Sequence, residues 1–455
     1  MQKKLISGLF WVLLANLLVK PLWILGIEVG VQNAVGLEMY GFYISVFNLA
    51  YIFNILLDLG VTNYNTRNIA QHPQLVGKHF SGILGVKVLL LGLYAAVTFS
   101  VGALTGYGSE EFRLLAWLTV AQFLNSLILY LRSNLEGLLL FRWDSLFSVL
   151  DRLLMVVICG WLLWAPALRA SGFGFTVFHF VYAQVAAYGV SAVLAFVVVA
   201  RRAGFRRLRW DRRFFVAVLK QSAPFALLVL LMASYNRLDP ILLRHLAGDA
   251  EAGVYAGAFR LLDALTIVAY LVSVPLLPVF SRILAARGAQ APATAVQLTA
   301  ALRLVFWPMM LFAAGAAVLG SLFAEPLMAL LYHSPARGAV YVPAFRVIVF
   351  GLVPIGLTYI FGTLLTAGGE LRRLNLFAAA TLAVNVAVNV ALIPRMGAVG
   401  SAWASLTAQS FMAAAQVVLA VRLYRLPAAA FLPPHPRNIL RQAALMMKRD
   451  TREQT

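Results

Sequence analysis

Charge is what this chain has least of. Asp, Glu, Lys and Arg make up 12% of its 455 residues, about half the 25% typical of a soluble domain. With 62% hydrophobic residues, that excludes a disordered chain and an ordinary soluble enzyme. There is one cysteine, Cys159, so neither an intramolecular disulfide nor a cysteine metal cluster can form. The sequence has no G-x-x-x-x-G-K-[ST] loop and no H-E-x-x-H, which excludes a P-loop motor and a zincin site. His72 and His79 share one polar stretch without metal-ligand spacing. No Ser/His/Asp order suggests a nucleophile. No metal, no cofactor and no catalytic residue is expected.

What the chain has instead is apolar length. Stretches long enough to cross about 30 Å of hydrocarbon recur throughout. Twelve spans are expected, at about 6–30, 39–61, 81–104, 112–131, 145–165, 174–200, 217–243, 252–280, 299–323, 341–366, 374–393 and 398–423. The fold class is therefore all-α and integral to a membrane. The N-terminal apolar segment, interrupted by Lys20 and Glu28 and followed by no small-residue cleavage site, reads as a retained span.

The net charge of +20 would suggest nucleic acid in a soluble protein. Here the cations fall in alternate loops, so the positive-inside rule accounts for them and no nucleic acid is expected. About two dozen lie on one side, among them Lys3, Lys4, Arg67, Lys78, Arg132, Arg142 and a cluster of basic C-terminal residues. Five lie opposite: Arg113, Arg169, Arg244, Arg337 and Arg395. Both termini are placed in the cytoplasm, with the protein in the cell inner (plasma) membrane and in contact with its lipids. The densest basic run, Arg201–Arg213, divides the chain. It is expected to be a cytoplasmic hinge (201–213) between an N-terminal six-helix lobe (1–200) and a C-terminal six-helix lobe (214–425). A basic cytoplasmic tail (426–455) follows, in which 437–449 could lie as an amphipathic helix on the membrane face or fray.

The halves repeat each other. Gly36, Gly41, Tyr43 and Phe47 match Gly248, Gly253, Tyr255 and Phe259 at one offset of 212 residues (248 − 36). Each stretch joins the first span of a half to its second. Six spans per half make the halves parallel, related by an axis along the membrane normal. The expected architecture is two pseudo-symmetric bundles around a central cavity.

Charges inside spans are costly and usually face a bundle interior or water. The second span carries Asn48, Tyr51, Asn54, Asp58 and Thr62 on one helix face. The eighth carries Arg260, Asp263 and Tyr270 in the same phase. In the first span, Asn16 and Lys20 lie four apart, Pro21 is expected to kink the helix, and Glu28 lies farther out. The seventh holds Asn236, Arg237 and Asp239 before Pro240. Structural readings stand beside the functional ones: Arg260–Asp263 as an ion pair across one turn, Asp151-Arg152 as a packing pair, Lys87 as a lone snorkelling lysine, Glu28 and Asp239 at the outer interface.

The Gly36–Phe47 stretch, continuing through Leu57-Asp58-Leu59-Gly60 to Asn68-Ile69-Ala70, resembles the MOP exporter superfamily, and within it the Wzx-type oligosaccharide and O-antigen flippases. Asp239-Pro240-Ile241-Leu242, Gly248, Gly253-Val254-Tyr255 and Phe259 carry the same likeness. The resemblance implies two six-helix lobes around a cavity that opens alternately to each side. It implies a polyprenyl-pyrophosphate-linked oligosaccharide as cargo and a place beside polysaccharide polymerase machinery. It implies cavity cations that attract the pyrophosphate; by position these are Lys20, Arg237 and Arg260, with Asn16, Asn48, Tyr51 and Asn54 beside them. Asp58, Asp263, Glu28 and Asp239 become the ion-coupling candidates. The chain lacks the two extra helices and the early arginines of lipid II flippases, which argues against a peptidoglycan precursor. A multidrug or cation antiporter of the same superfamily is the alternative, which Asp58 and Asp263 keep open.

Overall fold

A computed structural model describes residues 19, 21–62, 65–66, 69, 76–138, 140–170, 172–203, 226–273, 276–287 and 292–431. The described residues form helices and connecting turns, without a strand. Nine of these helices are long and apolar enough to span a bilayer. The longest, Leu371–Tyr424, breaks at Gly397, whose φ of 54° and ψ of −130° are not helical, so it provides two spans. Ala226–Arg237 and Asp239–Ala247 form another, bent by 41°. Leu22–Val35 is a shorter apolar helix at the end of the first expected span. Together these account for the twelve expected.

In chain order we label them α1 (Leu22–Val35), α2 (Leu37–Leu57), α3 (Val76–Leu104), α4 (Ser109–Gly137), α5 (Arg142–Trp164) and α6 (Val177–Ala203). The second half has α7 (226–247, bent), α8 (Asp249–Ser273), α9 (Pro292–Leu322), α10 (Val342–Ala367), α11 (371–396) and α12 (398–424). The proline-linked breaks follow backbone chemistry. Pro21 is followed by a π-wound turn, Leu22–Glu28, and Pro240 by its missing N–H and fixed φ marks the bend of α7.

Several expected boundaries move, two of them next to the repeated glycines. The first span was expected to end near residue 30, yet α1 runs to Val35. The polar pair Gln32-Asn33 lies within this helix, and the bundle satisfies both. Gln32 is buried and donates to the Gly253 carbonyl at 3.0 Å and the Tyr341 hydroxyl at 3.2 Å. Asn33 donates to the Leu331 carbonyl at 3.2 Å. Likewise the seventh segment continues past 243 to Ala247. Of the expected hinge, Arg201 and Arg202 end α6 and are exposed; residues 204–213 and the tail beyond 431 lie outside the described residues, as does 437–449.

Within the first half, α6 packs on α4 and α5, and α4 on α2 and α3. Within the second, α10 packs on α8, α9 and the Leu371–Tyr424 helix. A broad seam joins the halves: α2 against α8. It is built on the repeat. Gly36 (φ 84°, ψ 173°) and Gly248 (φ 94°, ψ 172°) adopt one conformation, open to glycine and strained for other residues. Five residues on, Gly41 lies so close to the Asp249 carbonyl that a Cβ would overlap it, and Gly253 lies the same way against the Leu37 carbonyl. Leu37 and Asp249 are themselves equivalent at the 212 offset. The two helices thus cross at their equivalent glycines. Below the crossing, Tyr43 stacks on Phe47 at 5.7 Å and Tyr255 on Phe259 at 5.8 Å.

Because backbone meets backbone there, Gly41→Ala and Gly253→Ala should each destabilise the protein by about 1–3 kcal/mol or more through overpacking. Gly85→Ala, with nothing within 4 Å of the added Cβ, should be neutral or slightly stabilising. Unfolding midpoints of the purified variants check the contrast.

Candidate functional site

The crossing closes one end of the space between the halves. On its far side lies a chamber of about 1040 Å³. Its wall receives Tyr51, Asn54 and Asp58 from α2, Asn236 and Arg237 from α7, and Asp263 and Tyr270 from α8. A narrow cleft continues toward the crossing, lined by Asn48, Arg237, Arg260 and Asp263. The two stripes, written on separate helices in one phase, therefore face one space. Lys20 and Asn16 lie outside the described residues.

The α2 stripe sits on a distorted helix. After Ile52 the chain tightens to a 3-10 turn, Phe53–Leu57, then leaves the helix through Leu59 (φ 44°) and Gly60 (φ 80°). Asp58 is at that break. It accepts from the Thr62 hydroxyl and pairs with Lys87 at 2.6 Å. Lys87 is fully buried, which corrects the snorkelling reading: an ammonium with a carboxylate in reach gains more there than by stretching to an interface. Asn54 donates to the Gln122 side chain.

The cations divide by partner. Arg260 pairs with Glu28 at 2.5 Å, donates to the Tyr40 hydroxyl, and lies 3.8 Å from Asp263. The ion pair across one turn is thus present but secondary; the main partner comes from the other half. Arg237 has its guanidinium over the Tyr51 ring at 5.1 Å, a cation–π contact. Among the described residues no carboxylate is within ion-pair distance of it. Arg152 lies over Trp23 and Tyr188 and donates to the Tyr188 hydroxyl at 2.7 Å, a packing role as expected.

Asp239 is placed apart from the other candidates. It is buried at the bend of α7, where Tyr255 donates to it at 2.6 Å, Asn385 at 2.9 Å and Asn389 at 2.8 Å. It does not line the chamber, nor does it reach an outer interface. Bending α7 at Leu238 turns Asp239 into the second half, away from Arg237.

A family model described as polysaccharide biosynthesis protein matches residues 5–284, more than half of the chain. This chain belongs to the polysaccharide biosynthesis protein family. The fold is similar to an inward-facing multidrug resistance MATE family transporter of the MOP superfamily, with a TM-score of 0.65 and 16% identity, covering 90% of this chain and 94% of that one. It is similar to the lipid II flippase MurJ in an inward closed conformation, at 0.64 and 13%, covering 97% and 91%. A MATE transporter from Vibrio cholerae gives 0.60 and 17%, covering 94% and 98%. At these identities the likeness is one of fold. No curated protein matches the sequence. This member of the polysaccharide biosynthesis family is a multi-pass membrane protein with the MOP fold.

Several wall residues of this polysaccharide biosynthesis protein escaped the sequence reading. Gln409 and Gln416 on α12, Tyr359 on α10 and Asn125 on α4 all face the chamber. The two glutamines are seven apart, so they share one face of α12; that spacing was available as a signal. Asn385 and Asn389, four apart on α11, carried a similar one. Tyr359, Thr363 and Thr366 share one face of α10 and all line the chamber, and Asn125 lies three residues from Gln122 on α4, so these positions carried a spacing signal too. Among the described residues no cluster of histidine, cysteine and carboxylate could hold a metal.

The Glu28–Arg260 pair crosses between the halves with little water around it. Glu28→Gln should cost about 3 kcal/mol by leaving Arg260 without its main counter-charge. Combining it with Arg260→Met should recover part of that loss. A double-mutant cycle on unfolding midpoints measures the coupling.

Proposed function

We propose that this protein is a flippase. It carries a polyprenyl-pyrophosphate-linked oligosaccharide (an O-antigen, capsule or exopolysaccharide repeat unit) across the inner membrane by alternating access of two six-helix lobes. Both termini lie in the cytoplasm, and the lipid tail stays in the bilayer. The observation that carries this reading is the wall of the chamber. Arg237 stands there with no acidic partner among the described residues, amid amides, hydroxyls and tyrosine rings. A pyrophosphate entering a low-dielectric cavity needs a compensating cation, and guanidinium binds phosphate oxygens in a fork. Amides and hydroxyls suit sugar hydroxyls, and the rings suit the apolar faces of a saccharide. The volume of about 1040 Å³ is at the top of the range for small-molecule pockets, roughly 300–1,000 Å³, as a headgroup with several sugars requires. Arg260, in the cleft, is the second cation on this path; Lys20, outside the described residues, remains a third candidate by its place in the sequence. Ion coupling falls to the carboxylates, first to Asp263, on the wall and 3.8 Å from Arg260.

Asp58 and Asp263 on the wall support the antiporter alternative. Each, however, has a basic group within 4 Å, which lowers its pull on a cationic drug.

Arg237→Ala should abolish surface glycan while the protein remains in the membrane fraction. The loss of a charge-assisted contact, about 1.5–3 kcal/mol, corresponds to roughly 10–100-fold in cargo affinity; Arg237→Lys should keep part of the activity. Normal glycan in both Arg237→Ala and Lys20→Ala would remove the basis of the reading. Drug resistance that rises with expression and disappears in Asp263→Asn would favour the antiporter.

A further inference from the structure

The break in α2 has a feature that cargo binding does not use. In a continuous helix the Leu57 carbonyl would accept from the Val61 amide. Here Val61 donates to the Asp58 carbonyl instead, at 2.9 Å, and the Leu57 carbonyl is released sideways. It accepts from Lys87 Nζ at 3.0 Å and from Ser126 Oγ at 3.1 Å. Lys87 Nζ also donates to Asp58 Oδ1 at 2.6 Å and Ser126 Oγ at 2.9 Å. An ammonium has three N–H donors and no acceptor. All three are met, by a carbonyl, a carboxylate and a hydroxyl from α2 and α4, while the group arrives on α3.

We propose that the Lys87 ammonium is a tethered cation that fills a monovalent-cation site made by the Leu57 carbonyl, Asp58 Oδ1 and Ser126 Oγ. A simple ion pair would need the carboxylate alone. This group sits in a shell of three oxygens, one of them freed by a left-handed turn at Leu59 (φ 44°), a conformation costly for a residue with a side chain. Hard oxygens of this kind are what an alkali cation takes. Lys87 is fully buried, whereas the Asp58 side chain is 25% exposed. The carboxylate therefore forms part of the chamber wall with its counter-ion held behind it, on the side away from any cargo. The first half has its cation covalently supplied at this point, and the α2 break keeps its shape whatever salt surrounds the protein. An inorganic cation that drives transport would bind elsewhere.

The test uses the full-length protein in detergent, with unfolding midpoints in KCl, NaCl and choline chloride at equal ionic strength. Lys87→Ala should empty the site and gain a response to K⁺ or Na⁺ over choline that exceeds the wild-type response by about 2 °C or more. Methylammonium should reproduce it. Asp58→Asn/Lys87→Ala should lose that gain. A folded Lys87→Ala whose salt response equals the wild type's overturns the proposal. If Lys87→Ala is recovered folded in KCl or NaCl but not in choline, the proposal holds. Loss of that variant in all three salts, with Asp58→Asn/Lys87→Ala recovered, overturns it, because the uncompensated carboxylate then failed to take a free cation. The readout is stability in defined salts, so it stands apart from the cargo assigned above.

Discussion

A charge within a hydrocarbon slab needs a counter-charge or a wet surface, and this constraint orders the interior of the protein. Lys87 has Asp58, and Arg260 has Glu28. Arg152 has Asp151 at 3.8 Å, two aromatic faces and a hydroxyl. Asp239, buried, is met by two amides and a phenol. Arg237 lacks a carboxylate partner among the described residues and stands on the chamber wall. An ionised group kept from an anion at such depth is stable only beside water or ligand, so the distribution of pairs itself marks where the wet space must be.

The second ordering device is symmetry. Equivalent glycines let α2 and α8 touch backbone to backbone, and around this crossing the contacts between halves are mixed: Leu49 and Ile52 pack on Ile241, and polar contacts lie beside them. Arg260 reaches Glu28, Gln32 reaches Gly253, and Arg244 on α7 reaches Glu111 on α4 at 2.6 Å. Hydrogen bonds and ion pairs of this kind can be exchanged for water when two bodies separate. The chamber lies on one side of that seam. Closure at one end and volume beyond it are thus two results of one arrangement.

The number of spans, the repeat and the two polar stripes were legible because each is local or periodic. Membrane thickness sets the length of apolar runs, and helical period sets which residues share a face. Gly36, Gly41, Gly248 and Gly253 could be matched by offset before their contact was known. Gln409 and Gln416 carried the same kind of signal and went unread. Gln32 lies past the expected end of the first span, and its partners Gly253 and Tyr341 lie more than 200 residues away.

By itself the sequence determined that the chain lives in a membrane, that it is twofold in design, and which helix faces are polar. Those follow from hydrophobic transfer and helix geometry, which act over a few turns. Only the tertiary structure decided which charges are spent on one another and which is left to face the chamber. Asp58 with Lys87, Glu28 with Arg260 and Asp239 away from all of them are choices of partner. In a low dielectric those choices depend on distances of a few ångströms between segments far apart in the chain, and no local pattern records them.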